Sequence, residues 1–178
     1  MRKVVLVMFA AMVLTAPLVA SAQQDWKARV TQTMPLMGHR NWILVVDSAY
    51  PLQSSPGVET IETNANHVDV LRYVLASINS SIHVRPLIFM DKELPFVPDD
   101  DASGASAYRE QVQKVLADYT IESLPHERVI RQIDETSKEF HVLVLKTTMT
   151  VPYSSVFIRL DCKYWSADAE KRMRQRMH

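Results

Sequence analysis

The chain of 178 residues contains a single cysteine, Cys162, so no disulfide can form within it, and Cys162 is expected to be buried and inert. It has no excess of either charge, with 20 Lys and Arg against 20 Asp and Glu. Such a balance offers no electrostatic footprint for nucleic acid, which needs a concentrated basic face. The one basic cluster, residues 171–176, follows Ser166, Asp168 and Glu170. Acids first and bases last suit a helix dipole, so this stretch reads as a solvated terminal helix. No long linker or internal repeat divides the chain, and no Gly-x-Ser-x-Gly elbow surrounds Ser48, Ser154 or Ser155, which argues against a serine hydrolase.

The amino terminus is where the hydrophobicity is concentrated. Arg2 and Lys3 precede a run over residues 4–19 that is apolar apart from Thr15, and Ala20-Ser21-Ala22 forms a small-residue cleavage signature. Residues 1–22 read as a secretory signal peptide, cut after Ala22, which implies a periplasmic or extracellular protein. The run is short for a membrane span and contains Pro17, so no stable membrane anchor is expected after cleavage. No cysteine follows the cleavage site, so no lipoprotein anchor is indicated. Losing Arg2 and Lys3 leaves 18 basic against 20 acidic residues over 23–178, a slightly acidic single domain.

Helix and strand signals alternate through that domain, which predicts one α/β fold with a mainly parallel sheet flanked by helices. Asp25 can cap a helix carrying Trp26, Val30 and Thr33 that Pro35 ends. A second helix fits residues 68–78, a third 105–119, a fourth 125–135, and a helical tail covers about 166–178. Strands are expected from Trp42, over 82–90, over 140–145 and over 156–160. Pro86 within the second of these predicts an edge position or a bulge.

The strand after Trp42 carries the most information. Ile43, Leu44, Val45 and Val46 are too few for a helix and uniformly apolar, as in a strand covered on both faces. Asp47 closes it, and ligands of open α/β sheets gather at the carboxyl ends of strands. Capping of the following turn is the alternative use of that carboxylate. Asp99, Asp101, Ser103, Gly104 and Glu110 imitate the spacing of a calcium loop, but Pro95 and Pro98 allow no entering helix. A solvated loop capping the next helix is the expectation, with no metal. His39 and His126 lie at loop junctions from which side chains reach clefts, whereas His67, His83, His141 and His178 read as structural. The dipole of the helix that His126 opens favours a neutral imidazole.

Gly38-His39, Asp47 eight residues after the histidine, and Pro51 together resemble the opening motif of the ribose pyranase and fucose mutarotase (RbsD/FucU-like) family. Leu124-Pro125-His126-Glu127 resembles its intermediate His-Glu element, and Pro152-Tyr153-Ser154-Ser155-Val156 its late Tyr-x-Asn before an apolar strand. The motifs occur in the family's order over most of the chain.

The resemblance implies a ring-like homo-oligomer whose pockets are completed by a neighbour's late tyrosine segment. It also implies a cofactor-free isomerase that interconverts ring forms or anomers of a monosaccharide. Such chemistry needs one group to protonate the ring oxygen and another to take the anomeric hydroxyl proton. Carried over, His39 would be the acid or base, with Asp47 as its catalytic companion and a sugar ligand. His126, Tyr153, Ser154 and Ser155 would bind substrate, and Trp42 or Tyr50 could stack on the sugar, with Trp42 more at home in the core. Ser155 stands where the family carries asparagine, and Thr148-Met149 where it carries Gly-Glu. The alternative they motivate is a non-catalytic carbohydrate-binding or scaffold protein on the same fold.

Overall fold

The computed structural model describes residues 25–177. The signal-peptide reading of residues 1–22 and the terminal His178 lie outside them. Helices α1 (Trp26–Thr33), α2 (His67–Ser80), α3 (Ala105–Val115), α4 (His126–Thr136) and α5 (Ala167–Gln175) alternate with six strands. The strands are β1 (Trp42–Val46), β2 (Val58–Glu62), β3 (Val84–Asp91), β4 (Ile121–Leu124), β5 (Val142–Lys146) and β6 (Val156–Cys162). They form one sheet in the order β2-β5-β1-β6-β3-β4. β2, β5 and β1 are parallel, as are β3 and β4, and β6 runs antiparallel between β1 and β3. The mainly parallel, helix-flanked sheet agrees with the sequence reading.

Every residue of β1 is buried, because alternate side chains serve two cores. Ile43 and Val45 face α1, α2 and α3 with Val30, Leu71, Val74 and Val112. Trp42, Leu44 and Val46 face α4 with Val129, Ile133, Phe89 and Phe157. Burial is worth roughly 1.5–3 kcal/mol for each such side chain, so β1 contributes to both cores at once.

The helix caps follow their chemistry. Asp25 accepts from the Lys27 and Ala28 backbone N–H groups, Asn66 from Val68, and Ser166 from Ala169. In the calcium-like segment the Asp99 carboxylate accepts from the backbone N–H and hydroxyl of Ser106, while Gly104 takes the left-handed conformation with φ of 85° ahead of α3. Gly57 is required by close approach, because a Cβ there would overlap the Ser137 carbonyl oxygen.

Three expectations are corrected. β3 is not an edge strand, although Pro86 is tolerated for a related reason: β4 pairs only from Ile88 to Asp91, so at Pro86 the strand has a neighbour on one side alone. The third helix stops at Val115, with Leu116 and Tyr119 held in turns beyond it. Cys162 is half-buried at the frayed end of β6 rather than buried. Trp42 is core, 1% exposed, as the sequence reading favoured.

Candidate functional site

β6 determines what meets at the site. Because it runs antiparallel, its first residue, Val156, pairs with Val45 near the end of β1 and with Met90 near the end of β3. The turn leading into β6 therefore lies where β1 and β3 deliver Asp47 and Asp91. A cavity of about 530 Å³ opens there, lined by Asp47, Tyr50, Asp91, His126, Tyr153 and Ser155 among others. This is the carboxyl end of the strands, where α/β sheets place their ligands.

Asp47 serves both readings the sequence allowed. Its Oδ1 accepts from the Ala49 backbone N–H at 2.8 Å and caps the turn, while Oδ2 makes no hydrogen bond among the described residues. Asp91 is buried, and its Oδ2 accepts from Nδ1–H of His126 at 3.0 Å. Its Oδ1 is buried without a partner. Burial pushes the Asp91 carboxyl up to about 6; His126 opposes the rise, and the negative charges of Glu93 and Asp47 add to it. Nδ1 of His126 is committed to Asp91, which leaves Nε2 as the ring's other nitrogen. The ring itself is set by backbone, since both Glu93 carboxylate oxygens accept from the His126 N–H at 3.1 Å and cap a helix start that Pro125 cannot.

Two phenols complete the lining. Tyr50 is 5% exposed, and its hydroxyl has no partner. Burial, with Asp134, Asp91 and Asp47 nearby, raises that phenol above its ordinary range, so it stays protonated and able to donate. Tyr153 is 40% exposed and stands edge-on to His126, with ring centroids 5.5 Å apart. Its backbone is left-handed with φ of 58°, which is unfavourable for an aromatic residue. The next residue is locked from behind. Ser154 is fully buried, and its carbonyl accepts from the Tyr108 hydroxyl of α3. Tyr108 packs edge-on against the buried His67 of α2, whose Nε2 donates to the Val45 carbonyl at 3.1 Å.

The structure thus brings Asp47, His126, Tyr153 and Ser155 together and leaves two residues out. The Ser154 side chain points into the protein, so that residue acts through its backbone. His39 lies across β1 from Asp47, and a five-residue strand spans about 16 Å. There its Nδ1 lies 3.0 Å from Asp161 Oδ1, while Arg85 pairs with the other oxygen of the same carboxylate at 2.6 Å. The late tyrosine segment lines the cavity of its own chain. Sequence reasoning missed Asp91, although the signal was the one used for Asp47: a carboxylate closing an apolar strand.

Among the described residues no group of three or more His, Cys, Asp or Glu side chains is arranged to hold a metal ion, and no helix is long and apolar enough to cross a membrane.

No curated protein sequence matches the chain. Among solved structures it resembles Bacillus subtilis RbsD complexed with D-ribose, with TM-score 0.54 and 13% identity over 75% of this chain and 92% of that one. It also resembles the fucose mutarotase from Streptococcus pneumoniae in complex with L-fucose, with TM-score 0.50 and 20% identity over 80% and 98%. FucU from Bifidobacterium longum aligns with TM-score 0.51 and 14% identity over 75% and 92%. At these identities the likeness speaks for the fold. The family model for the RbsD / FucU transport protein family matches residues 26–162, which include every strand and all the cavity-lining residues, and the chain belongs to that family.

Proposed function

We propose that this protein binds a monosaccharide in the Asp47–His126 cavity and interconverts its ring forms or anomers without a cofactor. The observation that carries the reading is the Asp91–His126 pair facing Asp47 and two tyrosines in one cavity. Family membership and the sugar ligands of the RbsD and fucose mutarotase structures support it. With its Nδ1–H held by the Asp91 carboxylate, His126 has the tautomer whose Nε2 accepts a proton. It takes the proton of the anomeric hydroxyl; the bond from the anomeric carbon to the ring oxygen breaks as the carbonyl forms. A tyrosine hydroxyl, Tyr50 or Tyr153, gives the ring oxygen its proton. Rotation of the open chain and the reverse steps return the other form, with both protons restored. Asp47 Oδ2 and Ser155 hold sugar hydroxyls.

His39 fits this scheme only from a second copy, because its own β1 separates it from the cavity. A homo-oligomer that presents His39 of one copy to the cavity of the next gives it an acid or base role. The sequence reading of residues 1–22 places the protein in the periplasm or outside the cell, which N-terminal sequencing of the protein from its native host would check.

The test is NMR saturation transfer between anomers and ring forms of ribose, fucose, galactose and glucose. Acceleration that disappears in His126→Ala supports the enzyme. Binding of a sugar without acceleration favours the non-catalytic reading that Ser155 motivates.

A further inference from the structure

A second groove, of about 700 Å³, lies on the α4 side of the sheet near the amino end of β1. Between residues 25 and 165 the chain carries eight arginines. Arg29 pairs with Glu59, Arg72 with Asp69 and Arg85 with Asp161, and Arg109 donates to the Val97 carbonyl and to the Ser106 hydroxyl. The other four, Arg40, Arg128, Arg131 and Arg159, make no side-chain hydrogen bond or ion pair among the described residues. All four line this one groove.

The local structure holds them there. Arg128 and Arg131 are three residues apart on α4 and share a helix face. The Arg159 guanidinium lies over the rings of Trp42 and Phe89, at 5.9 and 5.3 Å from their centroids, and that of Arg40 lies 5.5 Å over Phe140. Stacking on an aromatic face engages the plane of a guanidinium and leaves its N–H edges to bond elsewhere. Arg40 occupies left-handed backbone with φ of 78°, a conformation that suits glycine or asparagine better. The carboxylates in the lining are Glu135, already paired with Lys138 at 2.7 Å, and Glu139, so positive charge prevails in the groove. The lining contains no histidine, cysteine, serine or aspartate, which points to binding rather than catalysis.

We propose that this groove binds a small ligand carrying an oxyanion, a phosphate or carboxylate on a sugar-sized body. Paired guanidinium edges match the planar oxygens of either group, and the volume lies within the range of small-molecule sites. The inference stands apart from the proposed sugar chemistry.

Calorimetric titration of the intact protein with inorganic phosphate, galacturonate and neutral galactose tests it, with Arg131→Gln, Arg159→Gln and His126→Ala as variants. The expected result is binding of at least one anion that weakens with added salt, weakens about tenfold or more in each arginine variant, and is unchanged in His126→Ala. Preference between phosphate and galacturonate names the oxyanion. Absence of heat with both anions, or affinity unaltered in both arginine variants, overturns the proposal. So does loss of assembly mass in those variants without anion binding by the parent, which would make the groove an interface between copies.

Discussion

The two ends of β1 carry similar residue types in opposite states. At the amino end His39, Asp161 and Arg85 satisfy one another at the surface. At the carboxyl end Asp47, Asp91, Tyr50 and His126 crowd into a cavity where two buried polar atoms, Asp91 Oδ1 and Tyr50 Oη, have no protein partner. An exposed ion pair is worth little, whereas a buried polar atom left unpaired costs roughly 1–3 kcal/mol. The fold bears that cost inside the cavity, which marks the carboxyl end as a place where a hydroxyl-rich ligand gains.

The largest expected effect is at the carboxyl end. His126→Ala should reduce sugar exchange by about 10²–10⁴-fold, measured by saturation transfer, with the far-UV spectrum unchanged. An unaltered rate would move the chemistry away from this pair. Trp42→Ala works from the amino end and acts on stability, since it empties a fully buried site in the α4-side core. A loss of about 3–5 kcal/mol in denaturant unfolding is expected.

Titration sharpens the contrast. Asp91, held at about 6 against an ordinary 3.8, is better accommodated protonated, so its contribution is most favourable below 3.8 and is lost as pH rises through 6. Burial lowers His67 from 6.5 to about 4, so its contribution is present above 6.5 and is lost as pH falls through 4. Each difference corresponds to about 3 kcal/mol at most. The two oppose each other over the same window and should leave stability nearly flat between pH 6.5 and 4. Asp91→Asn should uncover acid lability by removing one side of the balance, and His67→Gln the reverse. Thermal melts at pH 4.5 and 7 distinguish them. Exchange activity in the unaltered protein should rise through about pH 6 as the Asp91 carboxylate ionises.

The smallest stability effect belongs to His39→Ala, below about 1 kcal/mol because its ion pair with Asp161 is exposed. A loss of exchange activity with that variant, in a protein of unchanged stability, would show that His39 reaches a cavity from another copy. Unchanged activity would make it a surface residue.

The strands and helices that the sequence revealed were those with strong periodicity or burial: β1, β3, β5 and β6, and the helices with apolar residues three and four apart. β2 and β4 escaped because they are short edge strands. Val58–Glu62 carries Glu59 and Glu62, Ile121–Leu124 carries Glu122, and exposed charge on an edge erases the apolar signal. In the site, Asp47 and His126 were legible because each sits at an element boundary, whereas Tyr153 and Ser155 were legible only through the resemblance of their segment to the family's late motif. Asp91 was visible as the end of a strand, but nothing local linked it to a histidine 35 residues later.

Local sequence by itself determined the α/β class, the caps at Asp25, Asn66 and Ser166, and a polar residue at the mouth of a buried strand. Those depend on interactions within a few residues. Tertiary structure alone decided that Asp91 meets His126, that Tyr153 returns to its own chain's cavity, and that His39 does not. The reason is the direction of β6. Inserted antiparallel between β1 and β3, it carries its preceding turn to their carboxyl ends, and strand order and direction come from pairing between segments distant in the chain, as Val156 is from both Val45 and Met90.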